Sequence, residues 1–383
     1  MTDIISTEVL LYWSDLLLFL LFAIPVGYSL VFALASLRKM GRQFNDTKKL
    51  YRYCILIPVP KGLDGNLVAT VQSIRRMTFS KDHYDIVISS NGLSADIKNQ
   101  LDSLQVVLLE KPNVHANPNA LIAVALASIK TTSYDVLVLL NANNQVDTNY
   151  LADINKAYHT GGMAIQTHKV SNHHPTQLSW LNAMMDEINN SIFRRGHVNM
   201  GFSSSLMGTG MAFDMQWFTS HVNLSDRLDL TKHIEAKLLK QGLFIEYLEH
   251  VHTYEDSPAD VAAYNQLRKE WSSSVVHTKK RIFKDLPRAI FAGNLDYCDK
   301  ILQWIMPSKI LLVGFLFIIA GMLAYYEPTL SVKWWIMTGT LLFSYILAIP
   351  DKMLTTRGIL SIILLPVLFI SVIFSKLFTR SKR

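Results

Sequence analysis

At 383 residues the chain can hold one large domain or two modest ones, and half of its residues are hydrophobic. That share, with a positive mean hydropathy, excludes an ordinary soluble composition and points to membrane segments. The formal charge of +7 suits contact with anionic lipid, while no interleaved aromatic and basic motif supports nucleic-acid binding.

The first element is the apolar run 9–37, "VLLYWSDLLLFLLFAIPVGYSLVFALASL", long enough to cross a bilayer as a helix. No small-residue cleavage site follows, so it reads as an uncleaved anchor. Asp15 lies within it and is expected near the headgroups. The segment 38–52 then carries six basic residues against one Asp, and 279–288 is similarly basic. Both flanks place the intervening domain in the cytoplasm by the positive-inside rule.

From Tyr53 the pattern alternates. Strands are expected over 53–60, 84–92, 105–111 and 135–140, and helices over 65–77, 95–104 and 118–129, the last with Pro118 at its start. Such alternation means a mostly parallel sheet covered by helices on both faces, with ligands binding beyond the carboxyl ends of the strands. The loops of interest are therefore 58–64, 89–94 and 141–147. None carries a G-x-G-x-x-G or Walker motif, which leaves nicotinamide and P-loop chemistry without support.

Further along, "HKVSNHHP" brings His168, His173 and His174 together, with the spacing of solvated loop histidines and not of a metal site. Three apolar runs, near 308–326, 333–350 and 357–378, close the chain. Tyr325, Tyr326, Trp334 and Trp335 at their edges read as interfacial aromatics. Three spans would put the basic tail on the far side, so either one run is interfacial or the charge rule fails at this end. Cys54 and Cys298 lie far apart without metal-ligand spacing, and a cytoplasmic domain keeps them reduced.

Four stretches resemble the family 2 glycosyltransferases, the membrane enzymes of the cellulose, chitin, hyaluronan and poly-N-acetylglucosamine synthase type. They are "VLVLLNANNQVDTNYL", "MGTGMAF", "LSDRLDLTKHIEAKLLKQGLFIEYL" and "YNQLRKEW", in order between Tyr53 and Trp271. The resemblance implies an α/β domain of the nucleotide-diphosphosugar transferase (GT-A) type, with transmembrane helices at both ends. The expected layout is an anchor over 1–44, a glycosyltransferase-like domain over 45–285, and an interfacial segment with transmembrane helices over 286–383.

At the matched positions this chain is depleted of acids. Lys61-Gly62 stands where the family has Asn-Glu, and Ser90, beside Asn91, at its nucleotide-contacting Asp. Asn141 and Asn143 replace the two Asp residues associated with metal and diphosphate. Asp226-Arg227 aligns with the Glu-Asp pair whose Asp is the general base. On the acceptor side Gly208, Thr209, Gly210, Gln266, Arg268 and Trp271 remain, with Glu270 where a second Arg is expected.

Arg cannot accept a proton at physiological pH, and loss of general-base help costs about 10²–10⁴ in rate. Asn brings a divalent ion an oxygen without charge. The residues therefore point to a pseudo-glycosyltransferase of the inner membrane. It would need no cofactor and act as scaffold or partner subunit in cell-envelope or exopolysaccharide assembly. The opposing reading is an active inverting transferase, moving sugar from a UDP-sugar to a polysaccharide or lipid acceptor with Asp226 as base. Such an enzyme would use Mg²⁺ or Mn²⁺, or replace the metal with Arg227 or Lys61. A third, lipid-linked sugar binding without transfer, would depend on Trp271.

Overall fold

The central strands are built from β-branched and aliphatic residues and lie wholly inside. Every residue of β1 (Tyr53–Val59) and of β4 (Val136–Leu139) is buried, as strands covered on both faces must be. The computed structural model describes residues 2–38, 44–111, 118–172, 176–224, 229–256 and 283–371. Within these, β1 and β4 join β2 (Tyr84–Ser90), β3 (Val107–Glu110), β5 (Asn144–Val146), β6 (Ala164–Asn172), β7 (Met211–Asp214) and β8 (Ile245–Asp256). They form one sheet in the order β3-β2-β1-β4-β7-β6-β8-β5.

Pairings β1–β2, β2–β3, β1–β4 and β6–β8 are parallel, and the other three are antiparallel. The mostly parallel expectation holds, with β7 the strand that reverses direction beside β4. The sequence reading named no strand beyond Leu140, so β5 to β8 are added by the structure.

Helices cover both faces. On one, Val71 and Ile74 of α2 (Leu67–Arg75) and Leu151 and Ile154 of α5 (Tyr150–His159) pack on Ile55, Ile57 and Val138. On the other, Ile122 of α4 (Pro118–Ser128), Phe218 of α8 (Met215–His221) and Leu238 of α9 (Leu230–Lys240) meet Leu56, Leu137 and Leu139. α3 (Ala95–Asp102) follows β2.

Among the described residues, three helices are long and apolar enough to cross a membrane: α1 (Thr2–Ser36), α12 (Lys309–Tyr326) and α13 (Pro328–Ala348). The third C-terminal run does not give a helix of that length within its described part. It breaks into α14 (Thr356–Ser361) and a 3₁₀ turn (Ile362–Leu364), and Leu368 packs on Leu178 and Leu181 of α6 (Gln177–Asn190).

Trp334, expected at the interface, packs inward against the protein. It is fully buried, edge-on to Phe19 and Phe22, because its indole N–H donates to Asp15 at 2.9 Å. The same carboxylate pairs with Lys333, so α1 and α13 are joined by a charged clamp.

A π-helix (Ser191–Gly196) continues α6 and runs into the single turn α7 (His197–Asn199). It caps the domain-side ends of these helices, where last-turn carbonyls lack intrahelical partners. Ser191 donates to the Ala348 carbonyl at 2.6 Å, and Asn199 to those of Ala35 and Arg38 at 3.0 and 2.8 Å. Glycine is required at 196, since a Cβ there would sit 2.3 Å from the Phe32 carbonyl oxygen.

Candidate active site

The carboxyl ends of β1, β2 and β4 bring the three loops of interest to one edge of the sheet. Ser90 and Asn91 spend their side chains on that edge itself. Ser90 Oγ accepts from the Gly92 N–H at 3.1 Å, and Asn91 Oδ1 accepts from the Lys61 N–H at 2.7 Å. The 58–64 and 89–94 loops are thus laced together. Behind them Lys98 pairs with Glu110 at 2.8 Å and holds that carboxyl below its usual range.

At the end of β4 the chain folds into a tight turn over 141–144. The Asn144 N–H donates to the Asn141 carbonyl at 3.2 Å, and the Asn141 N–H returns to Asn144 Oδ1 at 2.7 Å. The reciprocal pair explains Asn144, the third amide of the stretch: Asn suits side-chain-bonded turns. Thr70 donates to the Ala142 carbonyl at 2.8 Å, which fixes the turn to α2.

The Gly208-Thr209-Gly210 loop lies directly on this turn. The buried Thr209 hydroxyl donates to Asn144 Oδ1 and accepts from the Asn141 N–H at 3.3 Å. The position that sequence reasoning assigned to metal and diphosphate is therefore bonded to the position it assigned to the acceptor. Asn144, which it did not single out, is the joint, fully buried, and its Nδ2 has no partner among the described residues.

Gln166, also missed, clamps the loop from beneath. Its amide donates to the Thr209 and Gly210 carbonyls at 3.0 and 3.3 Å and accepts from the Met207 N–H at 2.9 Å. A buried glutamine in a strand leaves no periodicity signal, although its two-sided amide is suited to clamping a loop.

Asp226 and Arg227 lie outside the described residues, as do Gln266, Arg268, Trp271, His173 and His174. The first described acid after that gap is Asp229, the N-cap of α9, which accepts from the Lys232 N–H at 3.3 Å. It also takes the Lys232 ammonium and the Thr231 hydroxyl, each at 2.6 Å. Burial works against its charge, yet these partners hold the carboxyl below its ordinary value, which makes it a weak base. Thr231 faces the glycine loop: a Cβ at Gly208 would be 3.7 Å from its methyl.

His168, expected in a solvated loop, instead lies in β6. It meets Glu187 at 3.1 Å and the Tyr247 hydroxyl at 2.8 Å, because α6 covers that face. Two more acids stand near the carboxyl edge. Asp256 accepts from Asn66 and Asn172 at 2.9 and 3.1 Å. Asp147 accepts from the His252 N–H and ring and from Tyr254, all within 3.0 Å.

Hard divalent cations prefer carboxylate oxygen. The 141–144 turn offers amide and main-chain oxygens, and the nearby Asp147 is committed to three hydrogen bonds. Among the described residues, no three His, Cys, Asp or Glu are grouped to hold an ion. The described part of this turn therefore offers a divalent ion neutral oxygens.

The sequence profile described as glycosyl transferase family group 2 matches residues 136–375. No curated protein matches the chain. Among solved structures, it is similar to the mannosyltransferase PcManGT from Pyrobaculum calidifontis, in complex with GDP-mannose and Mn²⁺. The identity is 13%, the match covers 85% of this chain and 97% of that one, and the TM-score is 0.53. Looser matches are TarS from S. aureus, at 9% identity over 63% of this chain and 43% of that one, TM-score 0.41, and GalNAc-T7 with UDP, GalNAc and Mn²⁺, at 12% over 58% and 49%, TM-score 0.42.

Proposed function

Because the chain belongs to glycosyl transferase family group 2, we propose that it is a membrane-anchored member that keeps the transferase shape without the metal-assisted transfer. On this reading it is a pseudo-glycosyltransferase, a scaffold or partner subunit in cell-envelope or exopolysaccharide assembly. The domain faces the cytoplasm, with α1, α12 and α13 in the inner membrane.

The observation that carries the reading is the neutral 141–144 turn. Where relatives hold two carboxylates, this chain has amides, and Asn144 turns inward to bond Thr209. Amides at 141 and 143 leave the turn without the charge that a metal diphosphate requires.

Titration calorimetry of the full chain with UDP-glucose, UDP-N-acetylglucosamine and GDP-mannose, with and without Mn²⁺, tests it. The expected result is no metal-dependent heat and no sugar release. Mn²⁺-dependent micromolar binding followed by turnover would sink the proposal. The retained clamp on the Gly208–Gly210 loop supports a second reading, an active metal-independent transferase. That reading predicts turnover in EDTA that is lost in Asp226→Asn.

A further inference from the structure

After the domain, α10 (Leu286–Phe291) and α11 (Leu295–Ile305) lead into α12. Where α11 meets α1, a phenol, an imidazole and a carboxylate come together from three elements. We propose that Tyr28 of α1, His197 of α7 and Asp299 of α11 form a latch between the domain and its first apolar helix, closed by the uptake of one proton. The latch does not depend on whether the domain transfers sugar.

His197 is fully buried, and three short contacts define the cluster. Its Nδ1 lies 2.6 Å from the Ile192 carbonyl, its Nε2 2.6 Å from the Tyr28 oxygen, and that oxygen 2.7 Å from Asp299 Oδ1. Each contact needs a proton between its two heavy atoms. A carbonyl and an ionised carboxylate have none to give, while a neutral imidazole brings one and a phenol one. The three contacts therefore hold one proton more than the neutral ring and the phenol supply.

Among the described residues, no neighbour provides it. On α11 the Gln303 amide is spent on Asp299 Oδ2 at 2.7 Å, and Asp296 accepts from the Ser203 N–H and hydroxyl at 2.9 and 2.5 Å. The Lys300 ammonium goes to Ser203, Ser204 and Ser205. Next to His197 along the chain, Arg194 bonds Asn190 and Ser205, and Arg195 bonds Glu249 and Ser191. The other walls are aromatic, with Phe32 stacked on the imidazole at 3.7 Å.

Burial works against the Asp299 carboxylate, yet its bonds to His197 and Tyr28 keep it below the ordinary carboxylate range, so the extra proton belongs to His197. Burial in turn sets that imidazole below the ordinary histidine value, with Asp299 pulling against it. The ring therefore charges as the pH falls below about 6.5 and is neutral above. Without the proton Tyr28 can serve only one partner. The carboxylate is the stronger acceptor, so Tyr28 stays with Asp299 and lone pairs face each other at Nε2.

The contact opens there. An opened ring keeps its aromatic walls but loses its anion, and so holds a proton less well still. Protonation and closure thus reinforce each other, as in other histidine switches. Gly196 against Phe32, and the bonds from Asn199 to Ala35 and Arg38, keep the end of α1 in place. Opening therefore frees the helix around Tyr28 and leaves its last turn seated.

The test is solid-state NMR of the full chain in lipid nanodiscs, with isotope labels at tyrosine Cζ and at histidine Nε2. Labelling Nε2 alone sets His197 apart from His159 and His168, whose tyrosine partners meet Nδ1. At about pH 5 the expected spectrum holds a protonated Nε2 dipolar-coupled to a tyrosine Cζ, and at about pH 7.5 that Nε2 is bare and the coupling is lost. Asp299→Asn is expected to keep the coupling at both pH values with Nε2 bare. Its amide supplies the third proton, donating to the Tyr28 oxygen while Tyr28 donates to the ring.

A protonated and coupled Nε2 at both pH values in the unaltered chain would make the cluster a fixed ion pair and overturn the latch. A bare and coupled Nε2 at both would overturn the proton count. Opening that persists in Asp299→Asn would place the titration elsewhere and overturn the assignment. Should that variant not fold, the two spectra of the unaltered chain decide alone.

Discussion

Lys300→Met is expected to cost the folded protein about 3–5 kcal/mol, the range for breaking a buried charge pair by removing one partner. Lys300 is fully buried on α11. Its ammonium donates to the Ser203 and Ser204 carbonyls at 3.3 and 3.2 Å, to Ser205 Oγ at 3.0 Å and to Gln303 at 3.3 Å. Glu235 of α9 stands 4.0 Å away. Burial pushes that carboxyl up and Lys300 draws it back. Glu235 in turn accepts from the Leu206 N–H at 2.8 Å and from Trp304 at 3.1 Å.

The variant therefore strands a carboxylate charge and two carbonyls in the interior, while the Ser205 hydroxyl keeps its bond to Gln303. Thermal unfolding in detergent should show a lowered midpoint and loss of the monodisperse peak on gel filtration. Adding Glu235→Gln should recover a good part of the loss, since the neutral amide still accepts a hydrogen bond. If the double variant is no better than Lys300→Met, the loss is one of packing and not of charge.

Gly210→Ala should cost roughly 2–6 kcal/mol, joining the strain of a left-handed backbone to overpacking. Its φ is +62°, and a Cβ would meet Thr167 Oγ1 at 2.4 Å and Thr253 Oγ1 at 2.6 Å. Those hydroxyls bond each other at 2.8 Å, and Thr167 also bonds the Gly210 carbonyl at 2.9 Å, so neither can retreat freely. Gly62→Ala is the comparison. Its φ is +83° but nothing lies within 4 Å, so only the backbone contribution of about 1 kcal/mol remains. Denaturant midpoints of the two variants read the difference, and equal losses would mean that the crowding at Gly210 relaxes away.

The early strands were legible because buried parallel strands are continuous apolar runs: "YCILIPV" and "VLVL" admit little else. The later strands were not. β6, "AIQTHKVSN", and β8, "IEYLEHVHTYED", alternate polar with apolar residues, and α6 and the pairing of the two strands with each other give those polar side chains partners. His168 illustrates this. Its sequence neighbours look like a loop, and Glu187 and Tyr247 that pair with it are 19 and 79 positions away.

The site divides in the same way. The amides of the 141–144 turn stood out against a family pattern, but the bond from Asn144 to Thr209 spans 65 positions and has no local signature. The partner of Trp334 was hidden for a related reason. Its edge position suits a membrane interface, yet a carboxylate 319 residues earlier claims its N–H.

That clamp has a consequence for biogenesis. Asp15 and Lys333 are 318 residues apart, so a chain made at about 5–20 residues per second leaves the carboxylate without its cation for tens of seconds. During that interval the first helix must keep Asp15 hydrated. Its place near one end of the apolar stretch Val9–Ser36 allows this, because a group at that depth still reaches headgroup water. The domain is complete before the lock closes, and only the arrival of α13 commits α1 to its final position.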